Sequence, residues 1–352
     1  MAPPAAVQAW QASELGGAQA ITSGHGRFVA VGSDGSFPPQ AAAWTSSDGL
    51  TWDPATVVSP EAGTTMTAVT AVEDGFVAFG SASTTGGADP DQIAAWHSPD
   101  GTSWERADVT RAAKSGLGAA VRAVADGPSG PLALGVFFGQ DVDSHRLWQS
   151  TDGVSWEPTS LPKGQNLLWS TILATPDGYL LIGQKLGGRS SNWRSADGVT
   201  WERLADSPRM VDAAAAPDGT VVGVGQNDIW RSTDLQSWDS VWTNPEAWDL
   251  DGSDAFLSVD WAGDHFAVAG LDFSGCAPNT DECATSPLLL SSDGQAWVEA
   301  TGPDGLPGAD PATGYYGFAA LDSTTVALGQ VGGGPTVAWL VEGVPMATGT
   351  AE

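Results

Sequence analysis

The sequence of 352 residues is poor in positive charge. Lys and Arg together number 13 against 42 Asp and Glu, which gives a formal net charge of -29 at pH 7. Nucleic-acid binding depends on clustered basic residues that displace counterions, and anionic membrane surfaces attract the same residues. The sequence therefore argues against nucleic acid and anionic membranes as partners, and it favours a highly soluble monomer.

Long apolar stretches are also missing. No run of about 18 apolar residues occurs. The opening Met1-Ala2-Pro3-Pro4 has neither the basic start nor the apolar segment of a signal peptide. We therefore predict no membrane insertion. The hydrophobic fraction of 41% still suffices for a core, and 45 Gly, 23 Pro and 17 Trp favour turns and aromatic anchors over helices or disorder.

Cysteine is scarce, and the two cysteines, Cys276 and Cys283, lie in one polar loop. Their spacing predicts a local disulfide, which would stabilise the fold by about 2.5 kcal/mol, with free thiols as the alternative. A zinc site would need further Cys or His ligands nearby. Together with the low lysine content, the pair favours export, because disulfides persist in oxidising compartments. We expect an extracellular or cell-surface protein whose signal peptide is not part of this chain.

One nine-residue pattern recurs along the chain. It has an apolar residue at its start, a Ser-x-Asp-Gly centre and Trp at its end, and one copy has Leu235 where the others have Gly. The spacing predicts a hairpin in which the end residues face each other across a three-residue turn. The sixth residue of the pattern, which is Gly in all copies but one, would adopt the left-handed conformation. The copies span residues 44–52, 96–104, 148–156, 193–201, 230–238 and 289–297.

Two further segments, apolar or alternating in pattern, precede each copy. Together with the two strands of the hairpin they predict four antiparallel strands in each repeat. A seventh repeat ends after its third strand near Trp339, and residues 5–12, with Trp10, supply the missing fourth strand. This pattern predicts an all-β, seven-bladed β-propeller that forms one domain over residues 1–352. The predicted blades are 19–58, 65–109, 119–161, 167–206, 210–243, 255–302, and 314–345 combined with 5–12.

The pattern Ser-x-Asp-Gly-x-(Thr/Ser)-Trp resembles the Asp-box, or bacterial neuraminidase repeat, of sialidase-like propellers. The common box has an extra residue between Asp and Gly, which these copies lack. In that family the box connects the third and fourth strands on the face opposite the ligand site, so the resemblance implies structural roles for the box aspartates. These aspartates are Asp48, Asp100, Asp152, Asp197, Asp234 and Asp293.

The resemblance leaves the opposite, top face for a ligand. Its loops vary in length and sequence, and aromatic side chains near them could stack on sugar rings or pack between blades. These ligand-binding candidates are Trp169, Trp242, Trp248, Tyr315 and Tyr316. Asp249, Asp251 and Asp254 alternate around a glycine as in the start of a calcium loop, but the distal glutamate is missing. A structural calcium ion and an ordinary Asp-Gly turn both remain open there, and no other cofactor is predicted.

The sequence favours an exported, non-catalytic recognition scaffold that binds a glycan or a protein on the top face. The alternative is a glycoside hydrolase or sialidase-like enzyme that uses top-face carboxylates. By the resemblance, a sialidase would need three arginines, a Tyr-Glu pair and an Arg-Ile-Pro segment, and no Arg-Ile-Pro segment occurs. Other glycosidases need only two carboxyl groups roughly 5 to 10 Å apart, so the catalytic residues stay unknown at this stage.

Overall fold

The computed structural model of the protein is all-β. It describes residues 10–87, 89–113, 118–138, 144–163, 167–185, 188, 190–225, 228–243, 256–270, 288–299, 313–322, 324–331 and 334–341. Within these ranges the secondary structure consists of strands β1 to β29, with no helix. The described part thus contains no helix that is long and apolar enough to cross a membrane.

The strands form four-stranded antiparallel units that follow one another along the chain. The first strands are β2 (Gly17–Gly24), β7 (Thr64–Val72), β11 (Gly118–Gly127), β15 (Leu167–Thr175), β19 (Asp212–Ala215), β23 (Phe256–Trp261) and β27 (Thr313–Leu321). The second strands are β3 (Arg27–Ser33), β8 (Gly75–Ala82), β12 (Gly130–Phe138), β16 (Gly178–Lys185), β20 (Val221–Gly225), β24 (Phe266–Gly270) and β28 (Thr324–Val331).

The outer strands are shorter. The third strands are β4 (Ala41–Ser46), β9 (Gln92–Ser98), β13 (Ser144–Gln149), β17 (Trp193–Ser195), β21 (Asp228–Ser232), β25 (Leu288–Ser291) and β29 (Thr336–Val341). The fourth strands are β5 (Asp53–Pro54), β10 (Ser103–Val109), β14 (Ser155–Thr159), β18 (Glu202–Arg203), β22 (Asp239–Thr243), β26 (Val298–Glu299) and, from the start of the chain, β1 (Trp10–Glu14). Short parallel pairings join β10 to β14 and to β6 (Thr56–Val57), which merges two units into one nine-stranded sheet.

The second strands carry the core. In β3 the run Phe28 to Val31 is fully buried, and Leu132 to Leu134 in β12 is buried in the same way. These strands are continuous apolar runs because both faces of each unit pack against neighbouring units. The continuous apolar sequence of these strands matches their packing on both faces, because a strand of alternating apolar and polar residues would have to bury its polar face.

The last unit is completed by the start of the chain. β1 pairs with β29 in antiparallel register, with Trp10 opposite Val341 and Glu14 opposite Val337. The predicted pairing of the N-terminal strand with the strand of Trp339 is therefore confirmed. The described strand begins at Trp10, later than the predicted residues 5–12, and residues 1–9 lie outside the described part.

The turn between the third and fourth strands is longer than predicted. Strand pairing joins Trp44 to Pro54, so Trp44 does not face Trp52. The same two-residue offset recurs in the other copies: Trp96 faces Arg106, Trp148 faces Pro158, Trp193 faces Arg203, Trp230 faces Ser240, and Leu289 faces Glu299. The predicted three-residue turn with facing end residues is wrong, because side-chain hydrogen bonds within the turn hold residues 46–52 outside the strand pairing.

The first strands surround a central cavity. Each contacts the first strands of the two neighbouring units, and the series closes through the contact of β2 with β27. Residues of all the first strands line this cavity, which has a volume of about 410 Å³. The architecture is therefore a ring of four-stranded units around a central space, as in a propeller.

Candidate functional site

The four-stranded units have two different ends. The box turns lie at the end where the third strand passes into the fourth, and we call this the turn end. Antiparallel pairing places the connections between second and third strands, and between successive units, at the opposite end, which we call the loop end. The loop end corresponds to the top face of the sequence analysis.

The box turns are held by one repeated hydrogen-bond network. Asp152 Oδ1 accepts the backbone N–H groups of Val154 at 2.8 Å and Ser155 at 2.7 Å. Ser150 Oγ donates to the same carboxylate at 2.9 Å and accepts Gly153 N–H at 2.9 Å. The N–H bonds of Ser155 and Val154 lower the pKa of Asp152 to about 2. Equivalent bonds to the aspartate recur at Asp48, Asp100, Asp197, Asp234 and Asp293.

These aspartates use their acceptor capacity within the turn. Each binds the backbone two and three residues further along the chain, and each receives a hydroxyl bond from the Ser two places earlier. Three turns also use the box tryptophan, because Nε1 of Trp52, Trp104 and Trp156 donates to the backbone oxygen of the turn glycine at 3.0 to 3.1 Å, whereas Trp201 Nε1 donates to Ser160 O. The network accounts for the residue types of the box without any ligand, and it supports the structural role that the resemblance implied.

The predicted aromatic ligand residues are mostly packed. Trp169 is 4% exposed and lies in the core with Leu181. Trp242 packs on the cluster that contains Ile229. Tyr315 lies against Phe318 and Trp339, and its buried hydroxyl has no hydrogen-bond partner among the described residues. Tyr316 lies in β27 at the irregularity between Tyr315 and Gly317.

The other predicted site residues lie outside the described ranges. These are Trp248, the acidic residues Asp249, Asp251 and Asp254 of the calcium hypothesis, and the predicted disulfide partners Cys276 and Cys283. Among the residues that the structure does describe, no group of three or more His, Cys, Asp or Glu side chains could hold a metal ion.

Three aspartates border the central cavity, namely Asp126, Asp212 and Asp260, and two of them link neighbouring units. Asp212 in β19 accepts the N–H of Val259 at 3.1 Å, and Asp260 in β23 accepts the N–H of Phe318 at 2.9 Å. Each carboxylate therefore binds the backbone of the next first strand, and thus links two units. Enclosure by these strands raises the pKa of Asp212 to about 7, with a further contribution from the charge of Asp260, and burial raises the pKa of Asp260 to about 6.

The sequence analysis missed this pair. Asp212 and Asp260 stand in different repeats, so no local spacing connects them. The available signal was the presence of an acidic residue inside two segments that otherwise read as apolar first strands. Chemically, a carboxyl group whose pKa is near neutrality can hold or release a proton at physiological pH, which is what a general acid requires.

Among the described residues, the most exposed large aromatic side chain lies at the loop end. Phe37, in the connection between β3 and β4, is 88% exposed. Its loop is closed by Asp34, whose Oδ1 accepts the N–H groups of Ser36 and Gln40, each at 3.0 Å. Pro39 O then accepts the N–H groups of Gly63 at 2.7 Å and Thr64 at 3.0 Å, which ties the loop to the next unit.

Phe37 is therefore held on a fixed support while its ring faces solvent. Phe37 was not among the aromatic residues predicted from the sequence. The signal was an aromatic residue followed by two prolines within a turn-rich segment, since such a residue has no strand position in which to bury its ring.

Comparisons with known proteins give the fold only. No family model matches the chain, and no curated protein matches it in sequence. Among solved structures, the chain is similar to a puromycin hydrolase with a TM-score of 0.56 and 14% identity, covering 96% of this chain and 55% of that one. A protein of unknown function from Dyadobacter fermentans DSM 18053 aligns with a TM-score of 0.49 and 14% identity, covering 94% and 99% of the two chains.

The chain thus spans about half the length of that puromycin hydrolase. An α-L-arabinofuranosidase from Fusarium graminearum also aligns, with a TM-score of 0.47 and 14% identity over 78% of this chain and 92% of that one. At this level of identity the likeness to the puromycin hydrolase is a likeness of fold.

Proposed function

We propose that the four-stranded units are the blades of one seven-bladed β-propeller of the Asp-box type, in a single domain. In this proposal the protein is an exported monomer and a non-catalytic recognition scaffold. Its loop end binds a glycan or a protein ligand, while the box turns at the turn end maintain the fold. The sequence pattern of the repeats and the ring of first strands support the architecture.

The observation that carries the functional proposal is the exposure of Phe37. A phenylalanine ring that is 88% exposed gains nothing from folding, yet its loop is fixed by Asp34 and by two bonds to Pro39 O. An aromatic side chain on a preorganised loop binds a ligand at reduced entropic cost, because the loop does not have to be ordered on contact. Flat apolar faces of this kind stack on sugar rings or fill pockets of protein partners.

The test is a binding measurement with Phe37→Ala. Binding is measured first to a panel of neutral and acidic polysaccharides and then to extracellular proteins. We expect the variant to weaken binding by about 1 to 3 kcal/mol, which is roughly 5- to 150-fold, without lowering the melting temperature. The matched control is Val199→Ala, because Val199 is 47% exposed in a box turn at the other end. Equal weakening by both variants would contradict recognition at the loop end.

The second candidate function is hydrolysis, and the pair Asp212 and Asp260 favours it. Both carboxyl groups border the cavity, and their raised pKa values suit a group that transfers protons near neutral pH. The same polysaccharide panel, followed for product release, separates the two functions. Turnover that is lost in Asp212→Asn or Asp260→Asn, with binding retained, would replace the recognition scaffold by a glycoside hydrolase.

A further inference from the structure

Basic side chains are scarce in this chain, and most of those with described contacts have an acidic neighbour. Arg194 Nη2 lies 2.8 Å from Glu202 Oε2. The charge of Glu61 acts on Arg106, whose guanidinium lies over the ring of Trp96. Arg231 donates to the backbone oxygen of Asp293 at 2.9 Å, and its charge acts on the carboxyl group of that aspartate. This is the expected result for 13 basic residues among 42 acidic ones.

Arg146 and Arg111 break this pattern. Nη1 of Arg146 donates to the backbone oxygen of Arg111, so the two arginines are adjacent. Neither forms an ion pair within the described ranges. The nearby Glu157 accepts a bond from Thr110 Oγ1 at 2.7 Å and pairs with neither arginine. Burial lowers the pKa of Arg146, and the like charge of Arg111 lowers it further.

The guanidinium of Arg146 is fixed by aromatic rings. Its Cζ lies 5.1 Å from the ring centre of Phe137 and 5.7 Å from that of Trp148. The Trp148 ring is in turn anchored, because its Nε1 donates to Thr110 O at 2.9 Å. Apart from the Nη1 bond to Arg111 O, the N–H groups of this guanidinium have no hydrogen-bond partner among the described residues.

Arg111 is held in a costly backbone conformation. Its φ is +58°, in the left-handed region that favours glycine. The side chain is exposed, so no packing of its own requires an arginine at this position. A non-glycine residue in this region costs about 1 kcal/mol or more, and such strain clusters at binding sites, where the side chain has a function.

We propose that Arg111 and Arg146 form a binding subsite for an oxyanion, either a carboxylate or a sulfate ester, carried by a small ligand. Both residues lie at the loop end, because Arg111 follows β10 and Arg146 lies at the start of β13. Neither lines the central cavity, so the subsite is separate from Asp212 and Asp260. An oxyanion would neutralise the repulsion between the two guanidinium groups and accept bonds from their N–H groups that have no partner among the described residues.

The overall charge restricts the ligand. At -29 the protein repels a polyanion at long range, whereas an isolated anionic group is attracted only within the screening distance of about 8 Å in physiological salt. The subsite therefore suits a single carboxylate or sulfate on an otherwise neutral molecule. It does not depend on Phe37 or on the recognition function proposed above.

The experiment is an NMR titration of the full chain with glucuronate, with glucose 6-sulfate and with glucose. We compare the unaltered protein with Arg111→Gly, Arg146→Gln and the control Arg194→Gln, which changes the net charge equally at an arginine that already has a carboxylate partner. Arg111→Gly is the decisive variant, because glycine suits the left-handed position and the fold is expected to be retained.

Saturable binding of glucuronate or glucose 6-sulfate, but not glucose, is expected for the unaltered protein. Loss of one charged contact should weaken it about tenfold or more in Arg111→Gly and Arg146→Gln, and less than about twofold in Arg194→Gln. Binding of one anion alone identifies the carboxylate or the sulfate as the recognised group. The proposal is overturned if neither anion binds saturably, or if Arg111→Gly binds as tightly as the unaltered protein.

Discussion

The glycines of the box turns combine two requirements at single residues. Gly49 has a φ of +76°, and a Cβ at this position would lie 2.7 Å from Cγ2 of Val326 in the preceding unit. The equivalent Gly101 approaches Val29, and Gly153 approaches Val77. A side chain here would therefore meet both backbone strain and a neighbouring unit, which explains why the pattern keeps glycine.

A pair of alanine substitutions separates these effects. Gly26 has a φ of +73°, but a Cβ there would have nothing within 4 Å. We expect Gly26→Ala to cost about 1 kcal/mol for the left-handed conformation alone. Gly49→Ala should cost a further 1 to 3 kcal/mol or so for overpacking against Val326. Chemical denaturation of both variants measures the difference, and equal losses would show that the turn does not press on the preceding unit.

Leu235 shows how one unit dispenses with the glycine. Its φ is +59°, so Leu235 adopts the left-handed conformation that the glycines adopt in the other copies. Its half-buried side chain packs against the cluster that contains Leu180 and Val221. Burial of part of a leucine stabilises by about 1 kcal/mol, similar to the backbone strain, so the two effects roughly offset each other.

At the scale of strands, β1 closes the last unit through its pairing with β29. Ser13 Oγ adds a bond to Leu50 O in the neighbouring unit at 2.6 Å. Deleting residues 1–14 should expose the edge of β29 and lower the melting temperature by roughly 5 °C or more, because several backbone hydrogen bonds are lost together.

The control for this deletion removes residues 1–9 only and retains every described pairing of β1. Its melting temperature should stay close to that of the full chain, as measured by circular dichroism at the same protein concentration. If the two truncated proteins have the same melting temperature, the pairing of β1 contributes little to stability.

The strand pattern was predictable where the information is local. The apolar runs of β3 and β12, the turn glycines and the partner of β29 all follow from short segments of sequence. The pairing of Trp44 with Pro54, ten residues further along the chain, was not predictable. The bonds of Ser46 and Asp48 to the turn backbone decide how many residues stay unpaired. Spacing between tryptophans alone does not reveal those bonds.

The candidate sites were less predictable for a different reason. Asp212 meets the backbone of Val259, and Arg146 meets that of Arg111, only after separate repeats have packed together. Single aromatic residues were chosen for their nearness to the top-face loops, yet Trp169 is buried in the core. Exposure and charge pairing depend on the packed arrangement, which a repeat pattern does not specify residue by residue.

For the whole molecule, stability should depend on pH in two opposite ways. Asp212 and Asp260 have raised pKa values, so the folded state holds protons that the unfolded chain releases, and their contribution falls as pH rises from about 4 to about 7. Asp152 and Asp197 have pKa values lowered to about 2, so their contribution is present above about pH 4 and is lost as pH falls towards 2.

We therefore expect the melting temperature to be highest near about pH 4 and to decline towards neutral pH. The net charge of -29 at pH 7 acts in the same direction, because repulsion among carboxylates grows as they ionise. In the double variant Asp212→Asn, Asp260→Asn the decline between about pH 4 and pH 7 should be shallower, whereas Asp152→Asn should change the profile mainly at lower pH. An unchanged slope in the double variant would contradict the raised pKa values.

The pairing of β1 with β29 also orders events during protein synthesis. The ribosome releases the chain from its N-terminus, so β1 emerges before all the other described strands and its partner β29 emerges after them. Each intermediate unit can assemble from neighbouring strands as they appear, but the ring cannot close before β29 has been synthesised. A prematurely terminated chain would leave β1 without its partner, which gives the cell's quality-control proteases an exposed strand that distinguishes unfinished chains from finished ones.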